Sequence, residues 1–278
     1  MDRRAFLSAA MAASVAASAT PTLLGEEQPK DALPDAMTFG HLRGRFVFDG
    51  DLPVPKRIPI GRNAEVFKDL MLFDESLLVH PENMGLANVA IALVAPKGED
   101  APLLTVHRSY EKDAEAEVSL TFHNAQITPR VLPIRATQHL NVTNRDPVAN
   151  NCRLQSLKNP PFNMLMRPDD SVRAVFRTAE AMPCPVNSSI YPWMQGYVWV
   201  RDNPYIAVTG KDGSFEIRNL PLGKWNFRMW HERMGFITRG TVGKQELEWT
   251  RGVWEIEVRA AMTDLGEIHL PAELVHRP

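Results

Sequence analysis

Prolines and turn-forming pairs break this chain before any apolar run grows into an amphipathic helix of several turns. Its 22 prolines run from Pro21 to Pro278. Each fixes φ and removes a backbone donor, which confines regular structure to short extended segments. Between the breaks, apolar residues recur at every second position, as in Leu140-Asn141-Val142 and Phe215-Glu216-Ile217. That is the period of a half-buried strand. The expected fold class is all-β. Candidate helices are short, the best of them running from Asn63 to Met71.

The first residues read as a targeting segment. Met1-Asp2-Arg3-Arg4-Ala5-Phe6-Leu7 leads into a small-residue apolar run, and Ala17-Ser18-Ala19 is an Ala-x-Ala cleavage site. Residues 1–19 are therefore expected to be a secretory signal peptide, too short and too Ala-rich to span a membrane. Arg3-Arg4-x-Phe-Leu resembles a twin-arginine signal; a general-secretion signal with two basic residues is the other reading. Both place the mature protein in the periplasm or the medium. Residues 20–38, with Pro21, Pro29 and Pro34 among mixed charges, read as a linker. No later stretch is long and apolar enough for a membrane span. A formal net charge of −2 leaves no basic footprint for nucleic acid.

Four stretches fall into two distant groups. Gly40 to Pro53 reads as a strand ending in the Asp49-Gly50 turn, and Gly85 to Val94 as a buried strand. Ala207 to Ile217 reads as a hairpin around Lys211-Asp212-Gly213, and Leu220 to Trp230 as a turn and strand. Together they resemble the opening and closing halves of a carboxypeptidase-regulatory-like β-sandwich. The resemblance implies one discontinuous domain, 39–110 plus 204–278, with a second domain inserted at 111–203. Two domains in tandem are the simpler alternative.

The inserted stretch carries the most specific pattern. Val186 to Val200 includes Ser188, Tyr191-Pro192-Trp193-Met194 and Gly196-Tyr197. It resembles the copper-ligand loop of the cupredoxins, more narrowly of methylamine-utilisation-protein-like relatives, where the run is Val-x-Cys-x-Ile-His-Pro-Trp-Met-x-Gly-Tyr. Upstream, Asn144-Arg145-Asp146-Pro147-Val148-Ala149-Asn150-Asn151 resembles the motif Asn-x-Asp-Pro-x-x-His-Asn that supplies the second His. The resemblance implies a cupredoxin-like Greek-key sandwich. It also implies four copper-site positions, Asn150, Ser188, Tyr191 and Met194, of which only Met194 keeps a ligand. A blue-copper centre needs a thiolate and two imidazoles beside its weak axial thioether, so no metal and no cofactor are expected; copper is the alternative. Arg130, in Thr128-Pro129-Arg130-Val131, stands where relatives carry a further His.

In a cupredoxin the loops holding Cys152 and Cys184 converge, so these two cysteines are a candidate disulfide in an exported chain. Two free buried thiols are the other reading. His231 and Glu232, after Trp230, form the best remaining polar cluster, either a base with its partner or a strand-end His held locally. No two histidines sit two or four residues apart. Trp193, Tyr197 and Trp199 form an aromatic strip that either stacks on sugars or packs one strand face. No catalytic motif appears, and the chain is not expected to be an enzyme. Three functions stay open: an exported non-catalytic binding or structural protein, a copper-binding electron-transfer or copper-handling protein, and a carbohydrate-binding module. The partner is unknown, with an envelope protein or a glycan as candidates.

Overall fold

The computed structural model describes residues 38–96 and 103–275. The signal peptide and all but the last residue of the linker expected at 20–38 lie outside them. The described residues are all-β, in four sheets, with helical structure limited to three short 3-10 turns.

The first sheet runs Ser214–Pro221, Phe39–Asp49, Ala261–Pro271, Arg239–Val242, Gln245–Glu248. The second runs Ile206–Val208, Ala90–Leu93, Gly223–His231, Gly235–Phe236, and Val253–Val258 pairs with Gly223–His231. Leu42, Phe46, Ile91, Phe227, Ile268 and their neighbours form the core between these two. The third sheet runs Val131–Arg135, Gln195–Arg201, Cys184–Asn187, Asn150–Leu154, Phe162–Met166, and the fourth Gln126–Thr128, Glu117–His123, His139–Asn144, Ser171–Val175. Leu120, Phe122, Leu140, Val142, Val198 and Val200 lie in the core they share. Strands from 39–93 pair with strands from 206–271, and strands from 117–201 pair with one another.

A third apolar layer joins the second sheet to the third. Along Ala90–Leu93, Ile91 and Leu93 enter the first core, while Ala90 and Ala92 face the junction. Along Gln195–Arg201, Val198 and Val200 enter the second core, while Tyr197 and Trp199 face the junction. Both faces of each strand are covered, which is why these runs are apolar almost throughout. Their pattern is also a matter of size: the two alanines make room for Trp199 and Trp230, buried together with Val131.

Two local expectations change. Asn63 to Met71 is not a helix. Asn63 has φ 52° and its carbonyl accepts from Val66 and Phe67, making single turns rather than a repeating ladder. The arm around it is tied by Ile58 N to Leu72 O and Asp74 N to Lys56 O, both 2.8 Å. Ile58, Ile60, Phe67, Leu70 and Leu72 pack on the second core, so the span 39–110 serves both cores. Nor is 207–217 a hairpin. Ile206–Val208 pairs with Ala90–Leu93 and Ser214–Pro221 with Phe39–Asp49, so the Lys-Asp-Gly turn arches from one sheet to the other. Gly213 sits at φ 81°, where a Cβ would come within 2.2 Å of Phe46 O and 2.9 Å of Gly85 Cα. Only glycine fits there.

Candidate functional site

The strands Cys184–Asn187 and Gln195–Arg201 pair in antiparallel register, and residues 188–194 close the loop between them. Ser188 N donates to Met194 O at 3.2 Å, and Met194 N to Tyr191 O at 2.9 Å. The Ser188 hydroxyl oxygen accepts from Ile190 N at 3.1 Å and Tyr191 N at 3.0 Å, the usual way a serine holds a tight turn. Asn150 opens the neighbouring strand Asn150–Leu154, which pairs with Cys184–Asn187. The four positions expected from the sequence thus meet at one end of the second core, all buried.

Their chemistry is that of a closed polar network. Asn150 Nδ2 donates to Met194 Sδ at 2.9 Å, and Asn150 Oδ1 accepts from Asn151 N at 2.9 Å. Asn151, which the sequence did not single out, organises the rest. Its Oδ1 accepts from Ser188 Oγ, Ser189 N and Ile190 N, and its Nδ2 donates to Asn163 Oδ1 and Ser189 Oγ. Tyr191 is 1% exposed, edge-on to Phe67 at 5.9 Å, and its hydroxyl accepts from Asn63 Nδ2 at 2.8 Å. Burial raises its phenol above the ordinary value. These residues do not fit a blue-copper ion. Asn150 Nδ2 is a protonated amide nitrogen with no lone pair to give, as its donation to Met194 Sδ shows, and neither Ser188 nor Tyr191 brings the thiolate or imidazole that such a centre needs. Among the described residues, no three of His, Cys, Asp or Glu gather as a metal group.

The cysteines are free and buried. Val186 pairs with Leu154 and Asn187 with Arg153, so Cys152 is opposite position 188 and Cys184 opposite position 156. That is four residues apart along the strands, about 13 Å, far beyond disulfide reach. Burial pushes both thiols up to about 12, with the Glu180 charge adding at Cys184.

His231 and Glu232 do not act together. Glu232 takes a bidentate ion pair from Arg130, Nε to Oε1 at 2.5 Å and Nη2 to Oε2 at 2.8 Å. This pair ties the second sandwich to the first. Burial pushes the Glu232 carboxyl upward against the pull of Arg130. His231 is 1% exposed, and its Nδ1 accepts from Arg233 N. Burial lowers its pKa to about 3, with Arg130 and Arg233 adding; such a ring is neutral and a poor proton acceptor. The consequence for stability has a definite sign. Below about pH 6.5 the unfolded chain takes up a proton at His231 that the folded chain refuses until about pH 3. Stability is full above that window and falls through it. His231→Gln is expected to flatten the slope of unfolding free energy against pH between 6.5 and 3, measured by urea denaturation; an unchanged slope would show that other groups carry it.

The aromatic strip divides. Trp199 is fully buried in the junction layer, Tyr197 stands edge-on to Trp230 at 4.8 Å, and Trp193 leans on Tyr191 at 5.4 Å. Trp193 and Tyr197 also line a cleft of about 490 Å³ beside the arm 56–76. The cleft escaped sequence reading because its walls come from four separate stretches, although Arg130, Trp193, Tyr197 and Glu232 each drew notice singly.

No family model matches this chain, and no curated protein matches it. The chain is similar to solved cupredoxin structures over about a third of its length. A Cu-containing nitrite reductase from Thermus scotoductus SA-01 is 18% identical over 38% of this chain, with TM-score 0.28; the matched part is 25% of that reductase. A Cu(I) amicyanin variant is 14% identical over 31% of this chain and 82% of its own, with TM-score 0.28. A purple cupredoxin from Nitrosopumilus maritimus is 20% identical over 30% of this chain and 99% of its own, with TM-score 0.26.

Proposed function

We propose that this chain is an exported, non-catalytic binding or structural protein whose inserted domain, 111–203, is a cupredoxin-like sandwich that has lost its blue-copper site. The observation that carries the reading is the 2.9 Å contact between Asn150 Nδ2 and Met194 Sδ. The thioether, the one ligand kept, already has an amide for a partner. Ser188 is engaged as a turn acceptor and Tyr191 is sealed under Asn63 and Phe67. A serine hydroxyl, protonated near neutral pH, supplies none of the thiolate that holds copper in such sites. Export rests on the opening segment 1–19, and the discontinuous regulatory-like domain is supported by the pairing of strands from 39–93 with strands from 206–271.

Copper(II) added in slight excess to purified protein is expected to give no intense visible band from copper–thiolate charge transfer, and dialysis should remove the metal. An intense blue or purple colour, or one tightly held copper per chain, would overturn the reading.

A further inference from the structure

The cleft beside the arm 56–76 is lined by that arm, the 125–130 turn, the 193–197 loop, and Glu232 and Arg233. Its volume of about 490 Å³ lies within the range of sites that enclose small ligands. Three aromatic side chains supply apolar walls: Trp193 and Tyr197, both partly exposed, and Phe73 of the arm, which is exposed. Two of these rings are braced, Trp193 by Tyr191 and Tyr197 by Trp230. Hydrogen-bonding groups surround them: the amides of Gln126 and Gln195, the carboxylates of Asp74 and Glu75, and the cations of Lys56 and Arg57 at the rim. Arg130 is committed to Glu232, and Arg233 Nη1 donates to Ser76 Oγ at 3.0 Å. Acids and bases along the walls are thus nearly balanced.

We infer that this cleft is a binding site for a neutral saccharide of one or two rings. A pyranose has an apolar C–H face for an aromatic wall and a rim of hydroxyls that both donate and accept. Planar amides, carboxylates and cationic donors around two braced rings match that rim. The near balance of charge disfavours a strongly ionic ligand, which would leave one set of side chains facing like charge. The proposal deepens the binding reading and rests on it. The copper titration tests loss of the metal site separately, so either result can fail without the other.

The experiment uses the full mature chain. A panel of neutral mono- and disaccharides built from glucose, galactose, mannose, xylose and N-acetylglucosamine is tested by saturation-transfer NMR, with digalacturonate as the acidic comparator. At least one neutral sugar should bind. Trp193→Ala should weaken it tenfold or more, and Gln195→Ala, which also gives up the exposed contact from Gln195 Nε2 to Pro192 O at 3.2 Å, about fivefold in protein that stays folded by circular dichroism, together the loss of one stacking face and one hydrogen-bonding group. Silence across the neutral panel, equal or tighter binding of digalacturonate, or a bound sugar indifferent to Gln195→Ala and to Trp193→Ala in folded protein would each overturn the proposal.

Discussion

Trp199→Ala is expected to cost about 3–5 kcal/mol, the range for deleting a large aromatic from a filled interior. Trp199 is fully buried, but belongs to neither sandwich core. Its ring lies in the junction layer against Ala90, Ala92, Val131 and Trp230, its Nε1 points to Glu180 O at 3.4 Å, and the Arg201 guanidinium sits 5.2 Å from the ring centroid. The facing alanines belong to a central strand whose other face is locked into the first core. They cannot move in to fill the space, so the cavity term should be close to its full value. The form of the transition should change as well. With Trp199 gone, the layer joining the two sandwiches loses one of its two buried indoles, and urea unfolding followed by circular dichroism should broaden or split in two. A loss below about 1 kcal/mol with a single sharp transition would mean that the layer contributes little and that the cores are coupled elsewhere.

What could be read from the chain alone followed the range of the interactions. Alternation at Leu140 and Val142, or Phe215 and Ile217, identified strands because a strand's two faces are set by neighbours two residues away. The loop from Ser188 to Met194 was legible through a resembling motif, and the structure closes its turn within seven residues, by Ser188 and Met194 themselves. Asn150 was placed beside it through a second motif of the same resemblance. Asn151, one residue on, was passed over although it makes more of the network's hydrogen bonds; nothing in its spacing shows which amide faces the loop. The lid on Tyr191 was out of reach, since Asn63 lies 128 residues away and sits in an arm that looked helical. The cysteines failed on register: the sequence brought their loops together, but the pairing of Val186 with Leu154 slides the sulfurs apart. The supposed hairpin at 207–217 failed on partners, because a Gly-containing turn looks the same whether its strands join one sheet or two.

The Arg130–Glu232 pair is the second place where a single change should be expensive. Arg130 occupies the turn between Gln126–Thr128 and Val131–Arg135, and Glu232 follows Gly223–His231, so the ion pair crosses from the inserted stretch to the first sandwich. The Glu232 side chain is 3% exposed and that of Arg130 is 17% exposed. Glu232→Ala strands a guanidinium that water reaches only in part. Removing one partner of a buried pair costs about 3–5 kcal/mol, and the residual access of Arg130 to solvent brings the expectation to about 2–4 kcal/mol. Arg130→Ala should cost a similar amount, by leaving a buried carboxylate that burial already pushes toward its neutral form. The pair itself stabilises far less than either deletion implies, because each ion was desolvated to make it. Arg130→Met with Glu232→Leu, which keeps the bulk and removes both charges, should therefore be less damaging than either single change. Measured as a double-mutant cycle by urea denaturation, with Arg130→Met and Glu232→Leu as its single variants, the two positions should couple by more than about 2 kcal/mol. Strict additivity, or single-variant losses below about 1 kcal/mol, would show that the contact behaves as an exposed ion pair and does not hold the sandwiches together.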